Sequence, residues 1–280
     1  MFSHTKHVLI LFAMLIGAVL LTACNGSATS NNVAATLLHN APVARDSAVI
    51  IPLGQEIFTP FIRVVQLGTP VTWHNTDRVA HTITTTSEHS SFLNPQAFAL
   101  HIPVGQTTSF TFHKAGLYNY FDNTQATWNS KDQRVAANKG VPNYPLAMEG
   151  VIWVQGPVAG LPRTVVNPIP GKDEFFKNFV AIPKGGSVSW HNTDMDDHFV
   201  SLVSGWSEPI NPSDVGVIQI KGTHAHPGGE TKTQTFSTPG LYYYYCSAHA
   251  TVNTAWKRVE AHKDASETPL PMEGFILVTS

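Results

Sequence analysis

From residue 47 onward, apolar and polar positions alternate in short runs that turn-forming residues interrupt. Ser187–His191, Thr231–Phe236, Leu241–Cys246 and Gly274–Val278 are rich in Val, Ile, Thr, Tyr, Phe and Trp, with Gly, Pro, Asn and Asp between them. Runs of this length and composition predict strands. A period of two sets Tyr242, Tyr244 and Cys246 on one face of their strand and Tyr243 and Tyr245 on the other. Only Ala126–Ala137 offers a hint of helical spacing. The expected fold class is all-β.

The pattern also repeats. Val71-Thr-Trp73-His-Asn-Thr-Asp77 followed by His81 returns as Val188-Ser-Trp190-His-Asn-Thr-Asp194 followed by His198, an offset of 117 (190 − 73). Ser109-Phe-Thr-Phe112 through Gly116-Leu-Tyr118 returns as Thr233-Gln-Thr-Phe236 through Gly240-Leu-Tyr242. Pro145-Leu-Ala-Met148-Glu-Gly returns as Pro269-Leu-Pro-Met272-Glu-Gly, offset by 124 (272 − 148). Ordered blocks at fixed offsets mark duplication. Two strand-and-turn units, residues 47–156 and 162–280, predict two tandem antiparallel β-sandwiches with Greek-key connections. The Gly/Pro-rich stretch Gly156–Leu161 divides them.

Composition narrows the setting. The sequence is 13% charged with a net charge of −2, and it carries no Lys/Arg cluster, so nucleic acid is not an expected partner. At the N-terminus, Lys6 precedes an apolar run from Val8 to Leu21 and then Leu21-Thr22-Ala23-Cys24. A basic start, a short apolar core and small residues before a cleavage point describe an export signal over residues 1–23. The run is shorter than the roughly 20 residues a membrane-spanning helix needs. Its ending resembles a bacterial lipobox, which implies acylation of Cys24. Residues 24–46, rich in Ser, Asn, Ala and Thr, would then be a flexible tether. The expected localisation is that of an exported bacterial lipoprotein, on the periplasmic or cell-surface side of a membrane.

With Cys24 carrying lipid, Cys246 has no disulfide partner. A lone exported thiol is either buried among apolar residues or a metal ligand. Its neighbours bring the right donors: His249 three residues on, Met272 before the last strand, and His198 48 residues upstream (246 − 198). One cysteine, two histidines and a weak methionine sulfur are the donors of blue-copper electron-transfer sites. The run His198…Tyr-x-Tyr-x-Cys246-x-x-His249…Met272-x-Gly resembles the cupredoxins, the plastocyanin/azurin group, and the resemblance spans both repeats. It implies one type 1 copper held by His198, Cys246 and His249, with Met272 as axial ligand and His249 at the solvent edge. The 23 residues from His249 to Met272 (272 − 249) are longer than is usual in plastocyanin-like proteins. That insertion is expected to cover the copper or dock a partner, and Glu273 is the nearest alternative axial donor.

The first repeat keeps His81 and Met148, but at the 124 offset Asp122 stands where Cys246 does and Gln125 where His249 does. It is expected to serve as scaffold or docking surface, or to hold a hard ion or Cu(II) on His81 and Asp122. His224 and His226 could bind a second metal or relay protons if their segment is extended, with His262 joining them, or they belong to a solvated loop. Tyr245 is expected to face outward, as a surface residue or as part of an electron path. His74 and His191 read as strand-surface residues, and Trp73 and Trp190 as core anchors.

The function expected is a membrane-tethered, one-electron Cu(I)/Cu(II) carrier serving redox protein partners. Two rivals stand beside it. A copper oxidoreductase of the nitrite reductase or multicopper oxidase kind would place a His beside the type 1 Cys, whereas Tyr245 and Ser247 flank it here. A copper capture or delivery protein would favour a Met- or His-rich flexible tract, which residues 24–46 lack.

Overall fold

The structure, a computed structural model, describes residues 47–206, 209–262 and 270–280. The export signal, Cys24 and the tether therefore lie outside the described residues. The first repeat contributes β1 (Ala48–Ile51), β2 (Ile62–Gln66), β3 (Pro70–Asn75), β4 (His81–Thr85) and β5 (Ala99–Ile102). It continues with β6 (Thr107–Thr111), β7 (Gly116–Asp122), β8 (Ala126–Asn129), β9 (Arg134–Ala137) and β10 (Glu149–Gln155). The second contributes β11 (Thr164–Ile169), β12 (Phe179–Pro183), β13 (Gly186–Asn192), β14 (His198–Leu202) and β15 (Ile218–Ile220). It ends with β16 (Glu230–Phe236), β17 (Gly240–Tyr245), β18 (Ala250–Asn253), β19 (Arg258–Ala261) and β20 (Glu273–Thr279). Among the described residues there is no helix, and the all-β expectation holds.

Each repeat is a sandwich of a three-stranded and a five-stranded sheet. The orders are β1-β3-β6 against β2-β10-β7-β4-β5, then β11-β13-β16 against β12-β20-β17-β14-β15. The pairing is mixed rather than wholly antiparallel: β1 with β3, β2 with β10, β11 with β13 and β12 with β20 run parallel. Trp73 and Trp190 are fully buried between their sheets, as core anchors should be. His74 and His191 sit on the strand surface, each ring Nδ1 2.9 Å from a threonine hydroxyl on the neighbouring strand, Thr107 or Thr231.

The Met-Glu-Gly blocks have a packing cause. Gly274 pairs with Tyr244, and Gly150 with Tyr120, across neighbouring strands. A Cβ on Gly274 would lie 2.5 Å from the Tyr244 ring, and one on Gly150 2.6 Å from the Tyr120 hydroxyl. Each tyrosine lies over the glycine and fills the core there, so no side chain fits.

One sequence expectation is corrected here. Ala126–Ala137 is not helical; it is the β8–β9 hairpin, whose turn residue Gln133 takes the left-handed conformation. Among the described residues of 250–271 is the matching β18–β19 hairpin, whose Arg258 packs onto the first repeat. Ala126-Thr-x-Asn129 with Arg134-Val, and Ala250-Thr-x-Asn253 with Arg258-Val, stand at the same 124 offset.

The two hairpins exchange contacts. Arg134 donates to the carbonyls of Pro271 at 2.6 Å and Phe175 at 3.0 Å, in the second repeat. Arg258 donates to the Ala147 carbonyl at 2.6 Å and to the Glu149 carboxylate at 2.7 Å, in the first. Around them Ile62, Leu117, Val151 and Trp153 share one buried core with their counterparts Phe179, Leu241, Phe275 and Leu277. Both repeats belong to one compact unit. Burial raises the affinity of Glu149 for its proton, and Arg258 opposes that shift. Replacing Arg258 with Met leaves a buried carboxylate without its partner, which costs about 3–5 kcal/mol. Urea unfolding of Arg258→Met should show a lower midpoint with little change in slope, and adding Glu149→Gln should recover part of the loss. A shift under about 1 kcal/mol would mean that the pair behaves as a screened surface bridge.

Candidate metal centre

Cys246 is the residue at which β17 stops. Its N–H donates to the carbonyl of Met272 at 2.9 Å, and its own carbonyl accepts from the N–H groups of His249 at 3.2 Å and Ala250 at 3.0 Å. This tight turn brings the His249 ring back over the cysteine. His198 opens β14, and the next residue, Phe199, donates its N–H to the Cys246 sulfur at 3.2 Å. The Nδ1 atoms of His198 and His249 lie 3.7 and 3.5 Å from Sγ. One ligand atom from each of the three residues falls within 4.8 Å of the others. His198 and Cys246 are fully buried, whereas the His249 side chain is 17% exposed.

Carboxylates fix the far side of each ring. Asp194 lies 3.1 Å from Nε2 of His198, and Asp173 lies 3.3 Å from Nε2 of His249. The Trp-His-Asn-Thr-Asp block builds the first of these: Asn192 accepts the Asp194 N–H and donates to the carbonyls of Asp196 and Ile220. With Nε2 turned to a carboxylate, Nδ1 is left to face the sulfur. Asp173 carries no motif of its own, although Glu56 occupies the same place at the 117 offset (173 − 56) and both residues adopt a positive φ.

Burial works against charge on these donors. Burial pushes the Cys246 thiol up, against backbone N–H groups from Phe199, Ala248 and His249 that favour the thiolate. Burial, with the charge of His249, pushes His198 down, so its ring is held neutral against the pull of Asp194. A sulfur aimed at two imidazole lone pairs fits a soft ion, whose bonds of about 2.0 Å to nitrogen and 2.3 Å to sulfur span such separations.

The remaining expected residues fall into place differently. Met272 is buried in the same core as Cys246 and is tied to it through the backbone. Glu273 lies on the opposite face of β20, where it accepts the Tyr243 hydroxyl near Arg258, and burial lifts its carboxyl to about 7. It is not placed as an alternative axial donor. Tyr245 is half-buried against the core shared by the two repeats, not outward on a free surface. His224 and His226 are exposed in a turn rather than an extended segment, and neither joins a group of three ligand atoms among the described residues. His262 donates its N–H to the carbonyl of His249 and also stays outside those groups.

Residues 169–255 match the family model described as copper binding proteins, plastocyanin/azurin family. The second repeat is a cupredoxin domain. Its cofactor is copper, and His198, Cys246 and His249 form the candidate type 1 site. Solved structures similar to this chain include a purple cupredoxin from Nitrosopumilus maritimus, at 22% identity, covering 39% of this chain and all of that one, with a TM-score of 0.27. Another is amicyanin from Paracoccus versutus, at 20% identity, covering 40% of this chain and 83% of that one, also with a TM-score of 0.27.

Outer hydrogen bonds that hold a cupredoxin's histidines are testable. Asp173→Asn weakens the hold on the His249 ring without removing any of the three donors. Copper affinity, measured by competition with a chelator, should fall about 10–100-fold. Unchanged affinity would mean that the turn after Cys246 orients His249 unaided.

Proposed function

We propose that this protein is a membrane-tethered carrier of single electrons, built around one type 1 copper in the second repeat. The observation that carries this reading is the convergence of the Cys246 sulfur with Nδ1 of His198 and Nδ1 of His249. When bound, copper supplies the one-electron Cu(I)/Cu(II) couple. Cys246 would hold it as a thiolate, His198 and His249 through imidazole nitrogens and Met272 through its weak thioether, a donor set that suits both oxidation states.

The chain's own residues do the rest. The Phe199 N–H lowers the electron density on the sulfur, and such contacts tune potential. Asp194 and Asp173 hold the rings in one orientation, so little has to move when charge changes. Apolar burial of Cys246 and Met272 keeps water away, while the partly exposed His249 gives electrons a way to a redox protein partner. Tyr245 and Ser247 flank the cysteine, so no histidine neighbour couples it to a catalytic copper. Lipid on Cys24 would anchor the chain to the outer side of a bacterial membrane, since more than one acyl chain makes a stable anchor.

Loading the chain with Cu(II) should give an intense visible thiolate-to-copper band and the EPR signature of one type 1 centre. Cys246→Ser should abolish the band. A chain that stays colourless with copper bound would favour capture or delivery, and steady turnover of nitrite, or of a reductant with dioxygen, would favour an enzyme.

A further inference from the structure

The first repeat holds a second convergence of ligating atoms, distinct from the site above. One ligating atom from each of Glu56, Asp77 and His81 lies within 4.8 Å of the others. Oε2 of Glu56, Oδ2 of Asp77 and Nε2 of His81 are buried and have no hydrogen-bond partner. His81 is fully buried and Asp77 is 5% exposed, and the Nε2–Oδ2 contact between them, 3.4 Å long, is an ion pair without a well-formed hydrogen bond. Such groups cost free energy unless something satisfies them.

The surrounding bonds leave these atoms free. Asp77 spends its other oxygen, Oδ1, on the N–H groups of Gly54 at 2.9 Å and Arg78 at 2.7 Å. Asp122 takes Nδ1 of His81 at 2.5 Å, and its second oxygen accepts both the N–H and the hydroxyl of Thr124. Asp122 is therefore fully engaged and orients the ring. The pair His81 and Asp122 does not share an ion, contrary to the sequence expectation. Nε2 of His81 instead faces Asp77 and Glu56.

Comparison of the repeats explains why these atoms are unclaimed. Asp173 and Asp194, the counterparts of Glu56 and Asp77, each face the Nε2 of a histidine. In the first repeat Gln125 replaces the second histidine, so Glu56, longer by one methylene, comes instead to the His81 that Asp77 already faces. The Nε2–Oδ2 separation of 3.4 Å is long for a hydrogen bond. It suits two ligands of one ion, because metal–ligand bonds of about 2.0–2.1 Å in tetrahedral array set their ligand atoms about 3.3 Å apart.

We propose that Glu56, Asp77 and His81 bind a divalent first-row metal ion, with zinc as the representative, and that Asp122 is the carboxylate that positions the histidine. Two carboxylates balance a double positive charge once the ion has displaced any proton on the His81 ring. A carboxylate behind the ligating histidine is the usual support of such ions. The site is independent of the copper reading and shares no residue with it.

The test uses the full chain with its second repeat first filled with copper, then dialysed against Zn2+ and washed. Mass spectrometry of metal content should find one zinc per chain. Glu56→Gln and Asp77→Asn should each weaken zinc binding at least tenfold, while the copper content stays at one. Because a buried substitution can disturb folding, a second measurement uses the unaltered, copper-filled chain with Co2+ in place of Zn2+. It should show weak visible d–d bands with no thiolate charge-transfer band. Absence of zinc, zinc retained equally in both variants, or cobalt bound through sulfur would each overturn the proposal.

Discussion

The two arginines at the join between the repeats set the terms for the rest of the molecule. A guanidinium buried without acceptors would be prohibitively costly, so Arg134 and Arg258 hold the strands that meet them in fixed places. Arg134 grips the carbonyls of Pro271 and Phe175, and those residues bracket the two chain segments that matter most to the metal centre. Met272 follows Pro271, and Asp173 comes two residues before Phe175. A side chain of the repeat without a thiolate thus steadies the thioether and the carboxylate of the repeat that has one. The first repeat acts as scaffold in a specific sense, through hydrogen bonds to the backbone of its neighbour.

One strand, β17, divides its labour by parity. Tyr242, Tyr244 and Cys246 enter the interior of the second sandwich, and Tyr243 enters the core between the repeats. The face that ends in the sulfur is packed by rings that cannot shift: Tyr244 meets Trp190 edge-on at 5.7 Å and Phe175 at 4.8 Å. On the other face Tyr243 stacks on Phe275 at 4.5 Å, and its hydroxyl accepts the N–H of Val259 at 2.9 Å. Cys246 therefore sits at the end of a strand pinned on both sides. Such a strand can keep the sulfur in one place while charge comes and goes.

Much of this was legible in the chain because it rests on short-range rules. Period two placed Cys246 inward, and repeated blocks at fixed offsets set out two sandwiches. Spacing also brought His249 back to Cys246, because a tight turn needs only three residues. What the sequence concealed depends on distance. Arg134 and Pro271 lie 137 residues apart, and nothing local marks either as a partner of the other. The hairpin that Arg134 belongs to has only four residues per strand, too short to separate from a weak helical pattern. Asp173 and Glu56 are single acidic residues in loops, and their roles emerge only once His249 and His81 stand in front of them. Glu273 misleads for the opposite reason: it adjoins Met272 in the chain, yet alternation turns it to the other face.

The reciprocity of the two hairpins has a consequence for how such a molecule can be cut or built. A surface on which residue i meets residue j, while the counterpart of i meets the counterpart of j, is self-complementary in the manner of a two-fold symmetric assembly. Fusing the halves into one chain lets each side specialise, one keeping sulfur and the other oxygen donors, without losing the mutual fit. Severed from its neighbour, the copper-binding half would carry a bare apolar face suited to receive its own twin, and a homodimer with two identical metal sites is the assembly that geometry permits.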